Sequence, residues 1–250
     1  MKRYSLMIVA MALLFSFSHI SPVFAAKKPK TILEYHHDVT GDGIPEKITV
    51  YGNPLKDNKD YYQEVCAEIE GKGIRKIQIL YEGGFEPKLE FVDLNHDGAD
   101  DILYSSATGG SGGLYNFALH TIKEGTLREL PLPEPLPVES SFQNNFKAFM
   151  TVPGIPNPIQ LNLSNRSEDY IRLGLYQKKG MLNEPAELMI DPIAFFQIVK
   201  IKGKAGYGLK SYRQVSGAYH ADGIGTIEVL SYFENGEWST MKVEWKLSIK

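Results

Sequence analysis

From residue 31 onward the chain repeats one pattern: short runs in which apolar and polar residues alternate, broken by turns that contain glycine. Successive side chains on a strand point to opposite faces, so each run can bury one face and wet the other. The runs predict strands over Thr31–His37, Glu46–Tyr51, Tyr62–Ile69, Arg75–Tyr81, Leu89–Asp93, Asp101–Ser105 and Tyr115–Ile122. Further strands are expected over Phe146–Val152, Ile159–Leu163, Tyr170–Tyr176, Phe195–Ile201, Leu209–Val215, Thr226–Phe233 and Trp238–Leu247. Between the last two lies Asn235-Gly236, a tight hairpin signal because both residues accept positive φ. Ser140–Met150 and Pro185–Val199 have room for a turn or two of helix, the second interrupted by Pro192. The expected fold class is all-β.

The N-terminus follows a different rule. Lys2 and Arg3 precede an apolar run from Leu6 to Phe17, then Pro22 and the small residues Val23 and Ala25. This is the charge, apolar core and cleavage pattern of a secretory leader, predicted to span residues 1–25. The apolar run is shorter than the roughly 20 residues a membrane span needs. The alternative is an uncleaved N-terminal anchor. The reading is therefore a secreted protein, extracellular or associated with the cell envelope, with no transmembrane segment once the leader is removed.

Composition removes several function classes. With 27 Lys and Arg against 30 Asp and Glu, no broad basic surface is available for nucleic acid. One cysteine, Cys66, excludes an internal disulfide framework and any cysteine-based zinc site. Pro131-Leu132-Pro133-Glu134-Pro135-Leu136-Pro137 is an extended, stiff segment, because alternate prolines withdraw ladder donors. It separates an N-terminal half, 27–130, from a C-terminal half, 138–250, either as a crossover within one fold or as a boundary between two small β domains.

Two acidic nonapeptides carry the most chemistry. Asp38-Val39-Thr40-Gly41-Asp42-Gly43-Ile44-Pro45-Glu46 and Asp93-Leu94-Asn95-His96-Asp97-Gly98-Ala99-Asp100-Asp101 share the pattern D-x-[NT]-x-D-G-x-x-[DE], and each leads into a predicted strand. Oxygen donors at positions 1, 3, 5 and 9, a carbonyl at 7 and a curling glycine at 6 suit Ca²⁺, which accepts a flexible oxygen cage. The spacing is like that of an EF-hand, but no flanking helices or glutamate at position 12 are present. The second loop is expected to bind more tightly, because Thr40 and Glu46 weaken the first.

On these residues the chain resembles the FG-GAP or VCBS-type repeat of exported calcium-loop proteins. It is also similar to small secreted proteins of Gram-positive spore formers, in which such loops precede a glycine-rich stretch like Thr108-Gly109-Gly110-Ser111-Gly112-Gly113. The resemblance spans residues 31–122. It implies one or two structural Ca²⁺ ions held by Asp38, Thr40, Asp42, the Ile44 carbonyl and Glu46, then by Asp93, Asn95, Asp97, the Ala99 carbonyl and Asp101. It also implies a propeller-like ring of about four units of ~53 residues, with an open β-sandwich as the alternative. A decayed third loop is expected near Ile198–Leu209, where Lys200, Lys202 and Lys204 would repel a cation.

Other candidates are weaker. His36 and His37 are neighbours on a strand and cannot easily share a metal. His220-Ala221-Asp222 sits in a turn without a nucleophile motif. The aromatics Tyr81, Phe85, Tyr104, Tyr115, Phe117, Tyr207, Tyr212, Tyr219, Trp238 and Trp245 fit either a sheet core or a face for glycan or peptide. The functional expectation is a calcium-braced extracellular module for an unknown protein or glycan partner. The alternative is a secreted hydrolase of polysaccharide or peptide with calcium as scaffold.

Overall fold

In the computed structural model, which describes residues 29–248, hairpin follows hairpin; the expected leader at 1–25 lies outside the described residues. Strands β1 (Lys30–His37), β2 (Glu46–Pro54), β3 (Tyr61–Glu70), β4 (Ile77–Val92), β5 (Asp101–Ala107), β6 (Tyr115–Lys123) and β7 (Thr126–Leu130) form one seven-stranded antiparallel sheet in chain order. β4 occupies the place of two predicted strands. Its first part, Ile77–Phe85, pairs with β3, and the part from Phe85 to Val92 pairs with β5.

The bend between them is built from glycine. A Cβ on Gly83 would meet the Tyr62 carbonyl oxygen, and one on Gly84 would lie 2.6 Å from Ser106 Oγ, so neither position admits a side chain. The next turn of chain puts Glu86 at φ 47° and shifts the register before Lys88. The carbonyls exposed by the bend are satisfied by side chains from neighbouring strands. The Tyr104 hydroxyl donates to Glu82 O, and Ser106 Oγ and Asn116 Nδ2 donate to Gly83 O.

This coiling turns the sheet into a half-barrel around Ile48, Val50, Val65, Ala67, Ile69, Ile79, Tyr81, Ile102, Tyr104 and Ile122. β1 reaches across the opening. Tyr35 and His37 pack on Phe91 of β4, with ring centroids 5.2 and 4.6 Å apart.

The C-terminal half holds a three-stranded sheet, β8 (Glu139–Gln143), β9 (Lys147–Thr151) and β10 (Ile159–Asn162). A short helix, α1 (Ser167–Arg172), follows, and then a five-stranded sheet. In the latter, β13 (Tyr207–Ser216) pairs on one side with β14 (Gly223–Glu234), which pairs with β15 (Glu237–Leu247). On its other side β13 pairs with β12 (Phe195–Lys200) and β11 (Met189–Ile190). Asn235 and Gly236 both take positive φ, 57° and 87°, as the hairpin signal requires.

The two halves share a core. Val92, Leu94, Leu103 and Leu119 from the half-barrel pack with Leu209, and Phe196, Ile198 and Trp238 close the cluster. The proline segment is pinned across it. The Trp238 indole N–H donates to Pro131 O at 2.7 Å, and the Arg213 guanidinium donates to Leu136 O at 2.6 Å.

Three expectations are corrected. Tyr170–Tyr176 is not a strand, since α1 runs through Arg172; Glu168 and Asp169 in its first turn favour the helix dipole, and Arg172 pairs back to Asp169. Neither segment expected to have room for helical turns contains helix: residues 140–150 carry parts of β8 and β9, and residues 185–199 carry β11 and most of β12 with irregular chain between. The described residues do not form a ring of four-stranded blades, because the sheets contain seven, three and five strands. β7 and β8 are strands that the residue pattern did not announce. Thr126–Leu130 and Glu139–Gln143 are short and polar, and they join the sheets only through pairing with β6 and β9.

Candidate functional site: two acidic loops

Both nonapeptides are loops between strands, the first joining β1 to β2 and the second joining β4 to β5. They are conformational copies of each other. In each, the position-1 carboxylate accepts the backbone N–H of the position-6 glycine: Gly43 to Asp38 at 2.7 Å, and Gly98 to Asp93 at 3.1 Å. The position-5 carboxylate accepts from position 7: Ile44 to Asp42 at 2.8 Å, and Ala99 to Asp97 at 3.1 Å. The position-9 carboxylate reaches back to position 2: Val39 to Glu46 at 3.0 Å, and Leu94 to Asp101 at 2.9 Å. The glycines at position 6 have φ of 82° and 92°, which few other residues adopt.

Position 3 completes each curl. Thr40 Oγ1 donates to Glu46 Oε1 at 3.4 Å. Asn95 accepts from the Asp97 N–H at 2.9 Å and donates through Nδ2 to Asp101 Oδ1 at 2.9 Å and to Thr121 Oγ1 at 3.2 Å. Ile44 is an exposed loop tip, whereas Ala99 is buried.

The two loops lie side by side although fifty-five residues separate them in sequence. A Cβ on Gly41 would sit 3.1 Å from the Ala99 Cβ, and His37 Nε2 is 2.5 Å from Asp100 Oδ2. The half-barrel's curl brings β1 over β4 and so delivers one loop to the other.

Electrostatically the position-9 carboxylates stand out. Glu46 and Asp101 are 1% and 0% exposed, and neither has an ion-pair partner among the described residues. Burial pushes the Asp101 carboxyl up to about 6 despite the N–H donors of Leu94 and Asn95, and Asp97 adds to the rise. Burial also raises Glu46, reinforced by the charges of Asp42 and Asp38. Asp38 behaves oppositely: partial desolvation is outweighed by backbone N–H donors from Gly43, Gly41, Thr40 and Asp42, which hold it below the usual range. At position 5 of the second loop, Lys123 Nζ lies 3.4 Å from Asp97 Oδ2.

The donor chemistry, oxygen throughout with carboxylates in excess, fits a hard divalent cation. The side-chain positions are those of loops closed by their own N–H groups. Among the described residues no three Asp, Glu, His or Cys side chains converge in a way that holds a metal.

The expected third loop is the turn between β12 and β13, and it serves as a support. A Cβ on Gly206 would lie 2.6 Å from His96 Nδ1, and the His96 ring stacks on Tyr232 at 4.4 Å. Lys204 pairs with Glu234 at 2.8 Å and lies over the Tyr232 ring. The second acidic loop is thereby clamped to the C-terminal half.

Several other candidates have structural roles, while Tyr115, Tyr207 and Tyr219 are exposed. Tyr81 and Tyr104 stack in the half-barrel interior at 4.0 Å. The Thr108–Gly113 tip packs Gly109 against Phe85, leaving a Cβ there only 2.3 Å from the ring. Cys66 is a free, half-buried thiol, its acidity suppressed by burial and by Glu68.

His220 and Asp222 do not act together. His220 Nδ1 is 3.1 Å from Asp191 Oδ1, whereas Asp222 is buried between Arg166 Nε at 2.6 Å and the Tyr170 hydroxyl at 2.5 Å. Sequence reading missed both clusters because their partners lie far apart along the chain. The one signal was Asp191, a charged residue inside the apolar run from Leu188 to Phe196.

Such a fold and site define a class: an all-β protein whose half-barrel sets two like acidic loops side by side. Residues 136–246 match the family model described as YybI C-terminal domain. The chain is also similar to an uncharacterized protein YybI of Bacillus subtilis (strain 168), 24% identical over 205 residues, which cover 80% of this chain and 78% of that protein. No solved structure matches.

These findings overturn the resemblance to FG-GAP or VCBS repeats. No such family is found, and the matched family covers the half of the chain that lacks the acidic loops. The reason is physical: a nine-residue oxygen-rich turn is dictated by the curl it makes, so unrelated folds arrive at it.

Proposed function

We propose that this protein is an exported, non-enzymatic β module that binds a partner outside the cell, with Ca²⁺ bracing its two acidic loops. The observation that carries this reading is the burial of Glu46 and Asp101 without a basic partner, each at the end of a loop that holds further carboxylates. A buried carboxylate that lacks a cation is costly, and a divalent ion offsets both its desolvation and the repulsion from its neighbours. The leader-like pattern at 1–25 supports export into a calcium-containing space.

The test is thermal unfolding of the metal-stripped full chain in chelator and again in excess Ca²⁺. At a hundredfold excess over the dissociation constant, binding stabilises the fold by about 2.7 kcal/mol. Asp97→Ala is expected to lose most of that response and Asp42→Ala less, because loop 2 has the stronger donor set. An identical melting temperature with and without Ca²⁺ rejects the metal role.

A further inference from the structure

A second site lies in the C-terminal half, wholly inside the segment that matches the YybI domain. Residues 183–187 cross the surface as a strap that bends at Asn183 and Glu184 and then runs on without regular structure. Its upstream end is tied down by Asn183 N–H to Leu175 O at 3.1 Å and Asn183 Nδ2 to Gly174 O at 2.8 Å, and its downstream end is tied to β8 by Phe142 N–H to Ala186 O at 2.8 Å and by Leu188 N–H to Ser140 Oγ at 3.0 Å. Immediately beyond, Met189 and Ile190 pair with β13, so the strap bridges the three-stranded and five-stranded sheets. A groove of about 750 Å³ opens on each side of it.

The lining mixes apolar residues with polar ones such as Ser140, Ser141, Gln143 and Asn183, and the charge it carries is of one sign. Phe142 lines both grooves, Met189 and Ala218 line one of them, and Leu173 stands at its edge with 48% of its surface exposed. The only ionisable side chains lining either groove are Glu184 and Glu187, both exposed and neither engaged in an ion pair. Two free carboxylates beside partly apolar grooves complement a ligand that alternates cationic and apolar groups. The strap is a single segment that lines both grooves. That shape takes the alternating side chains of an extended peptide better than a helix about 10 Å across.

We infer that the grooves flanking residues 183–187 dock an extended, cationic-amphipathic peptide segment of a partner protein, with Glu184 and Glu187 facing its basic side chains. This names the partner chemistry of the binding module but does not rest on the calcium reading, because no acidic-loop residue lines the grooves.

The experiment is fluorescence anisotropy of the full chain with a labelled short peptide of alternating lysine and leucine, beside a matched peptide of alternating glutamate and leucine. Saturable binding is expected for the lysine peptide alone, weakening as salt is raised. The double variant Glu184→Gln/Glu187→Gln is expected to weaken binding about tenfold, the loss of two rim attractions. Leu173→Ser is expected to weaken it with the salt dependence unchanged. A control, Glu64→Gln/Glu82→Gln on the half-barrel, is expected to bind as the parent does. All substituted positions are exposed, and unchanged circular dichroism verifies the fold.

Equal binding of both peptides, no saturable binding, or undiminished binding by the double variant overturns the proposal. Repeating the titration in chelator separates the two readings. Loss of the calcium response with peptide binding intact sinks only the metal role, and the converse sinks only the groove.

Discussion

Gly41 in the first acidic loop stands against Ala99 in the second, so close that a Cβ on the glycine would lie 3.1 Å from the alanine Cβ. This contact makes the two loops one structural unit. It also places the curled chain of each loop where the other restricts its movement, next to the His37–Asp100 pair.

Gly41→Ala therefore meets two obstacles: a φ of 74° and a crowded neighbour. Gly43, at φ 82°, has nothing within 4 Å of its would-be Cβ. Gly43→Ala is expected to cost the left-handed strain alone, about 1–2 kcal/mol, and Gly41→Ala more. Urea unfolding of both variants in chelator isolates the contact as their difference, and equal losses would show that the loops do not press on each other.

In the C-terminal half, Asp222 is the group whose removal should hurt most. It is 2% exposed and is bonded to Arg166 and Tyr170. Asp222→Ala leaves the Arg166 guanidinium, itself 13% exposed, without its counter-charge, at a cost of about 3–5 kcal/mol. Tyr170→Phe deletes one hydrogen bond to a charged acceptor and is expected to cost about 1.5–3 kcal/mol. Denaturant midpoints that place the two variants in the opposite order would refute the assignment of the ion pair as the larger contribution.

Acid should weaken the half-barrel through His120. The residue is 8% exposed, its ring is edge-on to Tyr81, and its Nδ1 has no hydrogen-bond partner among the described residues. Burial lowers its pKa, with Glu129 on β7 opposing the shift. The unfolded chain then takes up a proton first, as pH falls through about 6.5, so stability is full above that pH and declines below it toward the folded value. His120→Gln is expected to flatten this decline. Glu46 and Asp101 titrate in both proteins, so the difference between the two stability curves in chelator reports the histidine. Parallel curves for parent and variant between about pH 8 and pH 5 would refute it.

Much of the fold was visible in the residues themselves. Alternation located most strands to within a residue or two, and Asn235-Gly236 announced its hairpin, because both signals are local. Tyr170–Tyr176 misled for the same reason: spaced aromatics mimic a strand, whereas acidic residues at 168 and 169 and the buried bond from Tyr170 to Asp222 hold a helix. The bend in β4 was read as a break between two strands. Glycines at 83 and 84 look like a turn until the neighbouring strands fill the space around them.

The candidate site divides the same way. By itself the sequence determined two acidic loops with a common donor pattern, since their curl depends on glycines and carboxylates a few residues apart. Only the tertiary structure decided that the loops touch, that His96 clamps one of them to Tyr232, and that Glu46 and Asp101 are sealed from solvent with no basic side chain paired to them among the described residues. The acidic-rimmed grooves beside residues 183–187 likewise exist only where segments far apart in sequence meet. Periodicity encodes which face of a strand is buried, but the curl of a sheet and the closeness of distant segments come from packing summed over the whole chain.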